Sequence, residues 1–310
     1  VLDRRLVEDI AGRLRSDPGL VEKDWHITRA VGVLAAFDHG AAVAAFGGGT
    51  SLSKGWGLIK RFSEDIDLKV SMPAGASRNK AKKDRSSYQE RVLGAMIEAG
   101  FVLAGEPSKR DENRFFSADL FYPSMFDTGR GLRPHIRVEM SLTAPAPALP
   151  PITRPIASLI VAVQGKPPEV AAFLCVDPVE TAADKLSALG WRVQARRREN
   201  ENDDPTIVRH VHDLAALKAS VIASDEFASL VRKAMAEDEG RGGDAITYSD
   251  PAELFADMLD RLGTDPLWAT EYGDYVRQVS FAAFDELPGF GQALAAVREL
   301  VARLGHAGTV

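Results

Sequence analysis

Two aspartates at alternate positions, Asp65 and Asp67 in SEDIDLKV, have the residue types and spacing best suited to chemistry. Read as a strand, the segment puts Ser63, Asp65, Asp67 and Lys69 on one face and Glu64, Ile66, Leu68 and Val70 on the other. The two carboxylates then point the same way, with Cα atoms roughly 6.5–7 Å apart at strand rise. Acids held that close repel unless a cation lies between them. A hard divalent ion, Mg²⁺ or Mn²⁺, shared with substrate phosphates, removes the repulsion. A solvent-facing edge strand with screened charges is the plainer account of the same pattern. HIRVEMSL repeats the alternation, with Ile136, Val138, Met140 and Leu142 apolar and His135, Arg137, Glu139 and Ser141 polar. Beside the first strand, Glu139 would complete a three-carboxylate metal site with Asp65 and Asp67. Arg137 would face phosphates or pair with an aspartate, and an ordinary cross-strand ion pair explains the segment as simply.

These acids need elements to hold them, and the nearest is the run GGGTSLSKG just upstream. It is not a P-loop, because Ser53 stands before Lys54 and Gly55 follows where a metal-binding Ser or Thr belongs. It is not a dinucleotide fingerprint either, since Leu52 occupies the third glycine position. What remains is strand, glycine turn, helix. AAVAAF supplies the strand, the glycines let backbone approach a ligand, and Thr50 or Ser51 would cap the helix. Backbone N–H groups there favour an anion.

The chain has 310 residues, a formal charge of −6 and one cysteine, Cys175. One cysteine excludes an internal disulfide and a cysteine-based zinc cluster, so a reducing cytoplasm is the expected setting. The sequence has no apolar run near the roughly 18–20 residues that span a bilayer, so no membrane partner is expected. VLDRRLVEDIAGRL has the pattern of an amphipathic helix, not of a signal peptide. The acidic balance argues against indiscriminate nucleic-acid coating but permits local basic patches. Two basic clusters stand out, Arg78–Arg85 and Arg192–Arg198, each open to reading as a solvated surface.

From about 41 to 176 short alternating runs predict strands: AAVAAF, DIDLKV, FVLAGE, RFFSADLFY, HIRVEMSL, ASLIVAVQG and AAFLCV. Helices are expected at 50–58 and 83–99, and APAPALPPITRP (144–155) as a connection without regular structure. Beyond 176 the pattern is helical, with starts at Asp177-Pro178, Asp204-Pro205 and Ser249-Asp250-Pro251. The expected class is α/β (α+β), a mixed-sheet domain with N-terminal helices over 1–176 and an all-helical domain over 177–310. Within the first helix of the second domain, Lys185 borders the apolar stripe Val179, Ala182, Leu186 and Leu189, either as a snorkelling surface residue or as a point charge for a triphosphate. His210 and His212 are too close in register to share a helix face, which leaves a histidine metal site poorly supported.

Acids on a strand after a glycine turn and helix resemble the polymerase-β-type nucleotidyltransferase layout. The resemblance sharpens with GG-T-x-L followed by R-x-S-x-D-I-D-L, matched by Gly48, Gly49, Thr50, Leu52, Arg61, Ser63, Asp65, Ile66, Asp67 and Leu68. This looks like the signature of the AbiEii/AbiGii-type nucleotidyltransferase toxins, the group that includes the MenT toxins. VEKDWHITRAV resembles the family's N-terminal helix with its KD-aromatic element. An E-x-x-A-x-K-L-x-A-L element is matched by Glu180, Ala183, Lys185, Leu186, Ala188 and Leu189, and R-x-x-x-D-L by Arg209, Asp213 and Leu214. The likeness runs from about 20 to 217.

That resemblance implies Asp65, Asp67, Lys185 and Asp213 as catalytic residues, with Asp213 positioning the lysine or acting as a base. An Arg209–Asp213 salt bridge is the ordinary alternative. Taken with the strand and glycine-turn readings, Asp65 and Asp67, joined by Glu139, are expected around Mg²⁺ or Mn²⁺, and Gly48, Gly49, Thr50, Ser51, Lys54, Ser63 and Arg137 around the NTP. Glu139 departs from the pattern of many relatives. Ser63 shares the acid face, so a phosphoryl group there would place negative charge where the nucleotide binds. The implied activity is transfer of NMP from an NTP to RNA, at the tRNA 3′ end, blocking translation, with phage defence as a setting and an antitoxin as partner. The basic clusters would then bind RNA backbone. Transfer to a protein or small-molecule hydroxyl, or nucleotide binding without catalysis, stays open on the same residues.

Overall fold

The computed structural model describes residues 2–127, 133–143, 147–201, 203–239, 250–281 and 287–306. Contacts divide the chain into two units, Val1–Asp177 and Pro178–Val310.

The first unit opens with α1 (Arg4–Leu14), capped by Asp3, whose carboxylate accepts from the N–H groups of Arg5 and Leu6. Asp17 caps α2 (Pro18–Ala36), with Pro18 in the first turn, where its missing N–H costs nothing. Then come β1 (Val43–Gly47), α3 (Gly48–Lys54), β2 (Asp65–Ser71) and α4 (Arg78–Glu98). After these run β3 (Val102–Leu103), β4 (Ser108–Arg110), β5 (Phe115–Phe121) and β6 (Ile136–Thr143). β7 (Ile152–Ile156), α5 (Leu159–Gln164) and β8 (Val170–Cys175) complete the unit. The sheet is mixed, in the order β3-β5-β6-β2-β1-β8-β7, with β4 also on β5. β2 runs antiparallel to β1 and parallel to β6.

Strand alternation works as the sequence predicts. Ile66, Leu68 and Val70 are buried beside Ile136, Val138, Met140 and Leu142, and Phe116, Ala118 and Leu120 extend that layer on β5. Each fully buried large aliphatic side chain contributes about 1.5–3 kcal/mol. The opposite face carries the polar residues.

Several segments depart from expectation. ASLIVAVQG is not a strand: Ser158 caps α5 by accepting from the Val161 N–H, and Gly165 closes it in the left-handed region. Local capping and the burial of Ile160 and Val161 override the β-branched composition. Part of APAPALPPITRP is ordered as β7, where Pro155 sits on an edge strand beside a register shift. An edge tolerates the missing N–H. FVLAGE contributes only the two-residue β3. α3 begins at Gly48, so Thr50 and Ser51 lie inside it and no side chain caps it. α4 begins at Arg78, earlier than expected, because Ser77 caps it.

The second unit is helical throughout its described residues. It comprises α6 (Pro178–Ala195), a 3₁₀ turn (Pro205–Val208), α7 (Arg209–Ile222), α8 (Phe227–Asp238), α9 (Pro251–Thr264), α10 (Leu267–Val279) and α11 (Phe290–His306). The start at Asp204-Pro205 opens the 3₁₀ turn, with α7 following from Arg209. Asp250 caps α9 as expected, while Ser249 lies outside the described residues. α6 packs against α7, α8 and α9, and α11 against α7. No helix among the described residues is long and apolar enough to cross a membrane.

Candidate functional site

In the first unit the polar face of the sheet is ordered in rows. Asp65 on β2 pairs with Arg137 on β6, which pairs with Asp119 on β5. The next row runs Gly47, Asp67, Glu139 and Ser117 across β1, β2, β6 and β5. Asp65, Asp67 and Glu139 therefore share one face, as period-2 reading expects. Among the described residues, however, no three His, Cys, Asp or Glu side chains gather closely enough to hold a metal ion.

The glycine turn has a definite steric role. Gly48 has φ +67°, and a Cβ built there would lie 1.8 Å from Asp67 Oδ2. Only glycine tolerates both that backbone and that approach. A Cβ at Gly49 would lie 2.8 Å from both Arg61 Nη2 and Ser63 Oγ. Thr50 donates its hydroxyl to the Asp65 carbonyl, tying α3 to the start of β2. Ser51 is buried.

Two predicted nucleotide contacts are engaged elsewhere. Lys54 Nζ lies 2.5 Å from Asp24 Oδ1 and 2.9 Å from Thr28 Oγ1, and Asp24 Oδ2 also accepts from the Leu159 N–H. This buried pair accounts for Lys54 without a nucleotide. Arg137 takes the second option open to it: Nε and Nη2 donate to the two oxygens of Asp119 at 2.7 and 2.9 Å. That fork raises the Arg137 pKa further and lowers that of Asp119.

Sequence reasoning missed Arg133, Glu64 and Lys23. Arg133 Nη2 donates to Asp65 Oδ1 at 2.6 Å and its Nε to Glu64 Oε1 at 3.0 Å. Lys23, 0% exposed, donates to Glu64 and, at 2.6 Å, to the Arg133 carbonyl. Burial lowers the Lys23 pKa against the opposing pull of Glu64. Burial alone would raise Glu64, but the Lys23 and Arg133 charges outweigh it and hold the carboxylate ionised. The charge run from α2 through Glu64 to Asp65 fixes the first acid of the pair. Its one sequence signal was the KD element of VEKDWH. Glu139 is open to solvent by area, yet protein crowding, and then the Asp65 charge, raise its pKa.

In the second unit Lys185 Nζ lies 2.8 Å from Asp213 Oδ2, with the Asp213 side chain 0% exposed. His212 Nδ1 stands 3.3 Å from the other carboxylate oxygen. Arg209 instead pairs with Asp204 at 2.9 Å. Neither ring nitrogen of His210 has a hydrogen-bond partner among the described residues, and burial holds its pKa well down. Lys185 is thus a largely buried, partnered amine, unlike a snorkelling surface lysine.

The donor set on β2 suits a hard divalent cation. Asp65 and Asp67 offer anionic oxygens on one face, beside a glycine whose missing Cβ leaves Asp67 room. Magnesium sites commonly use only one or two carboxylates, with water and substrate phosphates supplying the rest.

A protein-family model described as nucleotidyl transferase AbiEii toxin, type IV toxin–antitoxin system, matches residues 33–296. Among solved structures, MenT4, a nucleotidyltransferase toxin from Mycobacterium tuberculosis H37Rv, is similar at a TM-score of 0.52 and 19% identity, covering 98% of this chain and 99% of that one. At that identity the likeness speaks for the fold. No curated protein matches the chain.

Proposed function

Since the chain belongs to the AbiEii nucleotidyltransferase toxin family of type IV toxin–antitoxin systems, we propose that it transfers NMP from an NTP to RNA, with the tRNA 3′ end as acceptor and arrested translation as the consequence. Membership implies an NTP substrate and a partner antitoxin. The observation that carries the reading is the acid pair, Asp65 and Asp67 on one face of β2, with Gly48 cut back to hydrogen against Asp67.

Asp65 and Asp67 would hold a divalent cation, which when bound neutralises phosphate charge and polarises the α-phosphate. The chain's own groups do the positioning. Arg133 and Thr50 fix Asp65, and the Gly48–Gly49 turn lets backbone amides approach a phosphate. Lys185 supplies a positive charge for the triphosphate, and Asp213, with His212 against its other oxygen, holds that amine. In a partnered carboxylate of this kind the first duty is orientation of Lys185, so we assign Asp213 as a positioning residue. Ser63, next to the glycine turn, is a further phosphate contact.

Incubation with each labelled NTP and total tRNA tests the proposal, with Asp65→Ala, Asp67→Ala and Lys185→Ala proteins alongside. Label should appear on RNA with the native protein and fall by at least 100-fold in each variant. Absence of label on RNA with all four nucleotides would remove the RNA reading. Label on protein instead would redirect it to hydroxyl groups of polypeptides.

A further inference from the structure

We propose that Phe121, with Val102 beside it, is a stacking platform for the unpaired terminal base of the RNA acceptor, on the side of the acid pair away from the glycine turn. This rests on the RNA reading above and adds where, and by what chemistry, the acceptor is gripped.

The platform follows from sheet register. β5 alternates buried Phe116, Ala118 and Leu120 with Phe115, Ser117, Asp119 and Phe121 on the polar face. Asp119 is in register with Arg137, and Arg137 with Asp65, so Phe121 lies one row beyond the Asp65 row on the same face. Two strand spacings and two residues of rise put its Cα about 12 Å from that of Asp65. A nucleotide whose sugar hydroxyl reacts beside the acids can place its base there.

Phe121 is 43% exposed and Val102, its partner across the β3–β5 pair, is 62% exposed. Both are exposed apolar side chains on the face that carries the acids. His135 meets the Phe121 ring edge-on, with centroids 6.3 Å apart and planes at 78°, which steadies the ring and leaves it accessible. A flat π surface of this sort suits a nucleobase, because every base has a face to stack and a single-stranded end has no partner of its own.

Sheet order decides between the two bases in the reaction. Going across β5-β6-β2-β1, the acids on β2 lie between Phe121 and the glycine turn that follows β1. The triphosphate belongs with the glycines, so the acceptor comes from the β5 side. Charge agrees. Arg110 on β4 is in register with Phe115, hence on the same face, exposed, and without an ion pair among the described residues. Its charge is felt at Glu139. An RNA strand lying along β5 would meet Arg110 through a phosphate and Phe121 through its end base.

The test uses the full chain with a fluorescent single-stranded RNA oligonucleotide for binding and labelled NTP for transfer. Phe121→Ala should weaken RNA binding and raise KM for RNA by about 5- to 100-fold, the range of one lost stacked base. NTP affinity should stay within 2-fold. Phe121→Trp should restore binding to the native level or better, which a merely structural residue would not do. Arg110→Ala should lower the salt slope of RNA binding by about 1. Ile152→Ala, an exposed apolar residue on the opposite edge strand, serves as control. Unchanged RNA binding in Phe121→Ala with intact native transfer overturns the platform alone. Loss of NTP affinity with RNA binding untouched overturns it too, by assigning Phe121 to the donor base. A native protein that labels no RNA brings down both the platform and the RNA acceptor.

Discussion

Gly48 joins two demands at one position, a left-handed backbone and a carboxylate against its α-carbon. Alanine there would strain the backbone by about 1–3 kcal/mol and drive Asp67 away from its present place. Gly48→Ala should therefore lose transfer by more than the stability change alone explains. Thermal unfolding and single-turnover assays on the same sample separate the two, and full activity would disprove the steric role. His26 offers a second single-residue test. It is buried and stacked on Tyr122, and burial, then Arg29, pull its pKa down to about 4. The unfolded chain takes up a proton near pH 6.5 while the folded chain does not until about pH 4. Stability from this group is therefore complete above pH 6.5 and is lost as the pH falls towards 4, by about 3 kcal/mol. Urea unfolding at pH 7 and pH 5 should show the first unit weakening, and His26→Phe should flatten that slope.

Between elements, α2 does more than cover the sheet: Lys23 fixes Glu64, and Asp24 holds both Lys54 of α3 and the first N–H of α5. The Lys54–Asp24 pair is almost wholly buried, so breaking it from one side strands a charge and costs about 3–5 kcal/mol. Lys54→Met should lower stability by that order, and Lys54→Met with Asp24→Asn should recover much of it. If the recovered double variant keeps the native KM for NTP, Lys54 is a structural tie; a raised KM returns it to the nucleotide. These contacts also show what a sequence can tell. The shared face of Asp65, Asp67 and Glu139 was legible because strand period fixes a side chain's face from its own neighbours. The apolar stripe beside Lys185 left open whether its amine was buried or snorkelled, and only the fold, by placing Asp213 2.8 Å away, decides that. Arg133 and Lys23 were not legible, since they reach Glu64 across 69 and 41 residues and no local pattern records such a meeting. α5 departs from expectation for a related reason: five apolar residues followed by Gln164 fit either element, and a serine cap with a closing glycine decides between them.

For the molecule as a whole, a net charge of −6 means that the proposed binding of RNA would depend on where the cations are left free. The cluster at the end of α6 is spent internally. Arg196 grips Asp203 and Glu271 at 2.7 Å, Arg198 grips Glu271 and Asp265, and both stack over Trp268. Around the start of α4, Arg78 pairs with Glu112, Lys80 with Asp84, and Arg85 donates to the Glu112 carbonyl. Lys82 and Lys83 remain exposed, with no ion pair among the described residues. The two clusters, alike in sequence, should then behave oppositely. Arg196→Ala should cost about 1.5–3 kcal/mol of stability in the second unit and leave the salt dependence of RNA binding unchanged. Lys82→Ala with Lys83→Ala should leave the unfolding midpoint unchanged and shallow the slope of log affinity against log salt by about 1 per lost phosphate contact. Binding titrations between 50 and 200 mM salt, roughly the range where such contacts are resolved, measure both. A shallower slope in Arg196→Ala and none in the lysine pair would place the RNA on the helical unit instead.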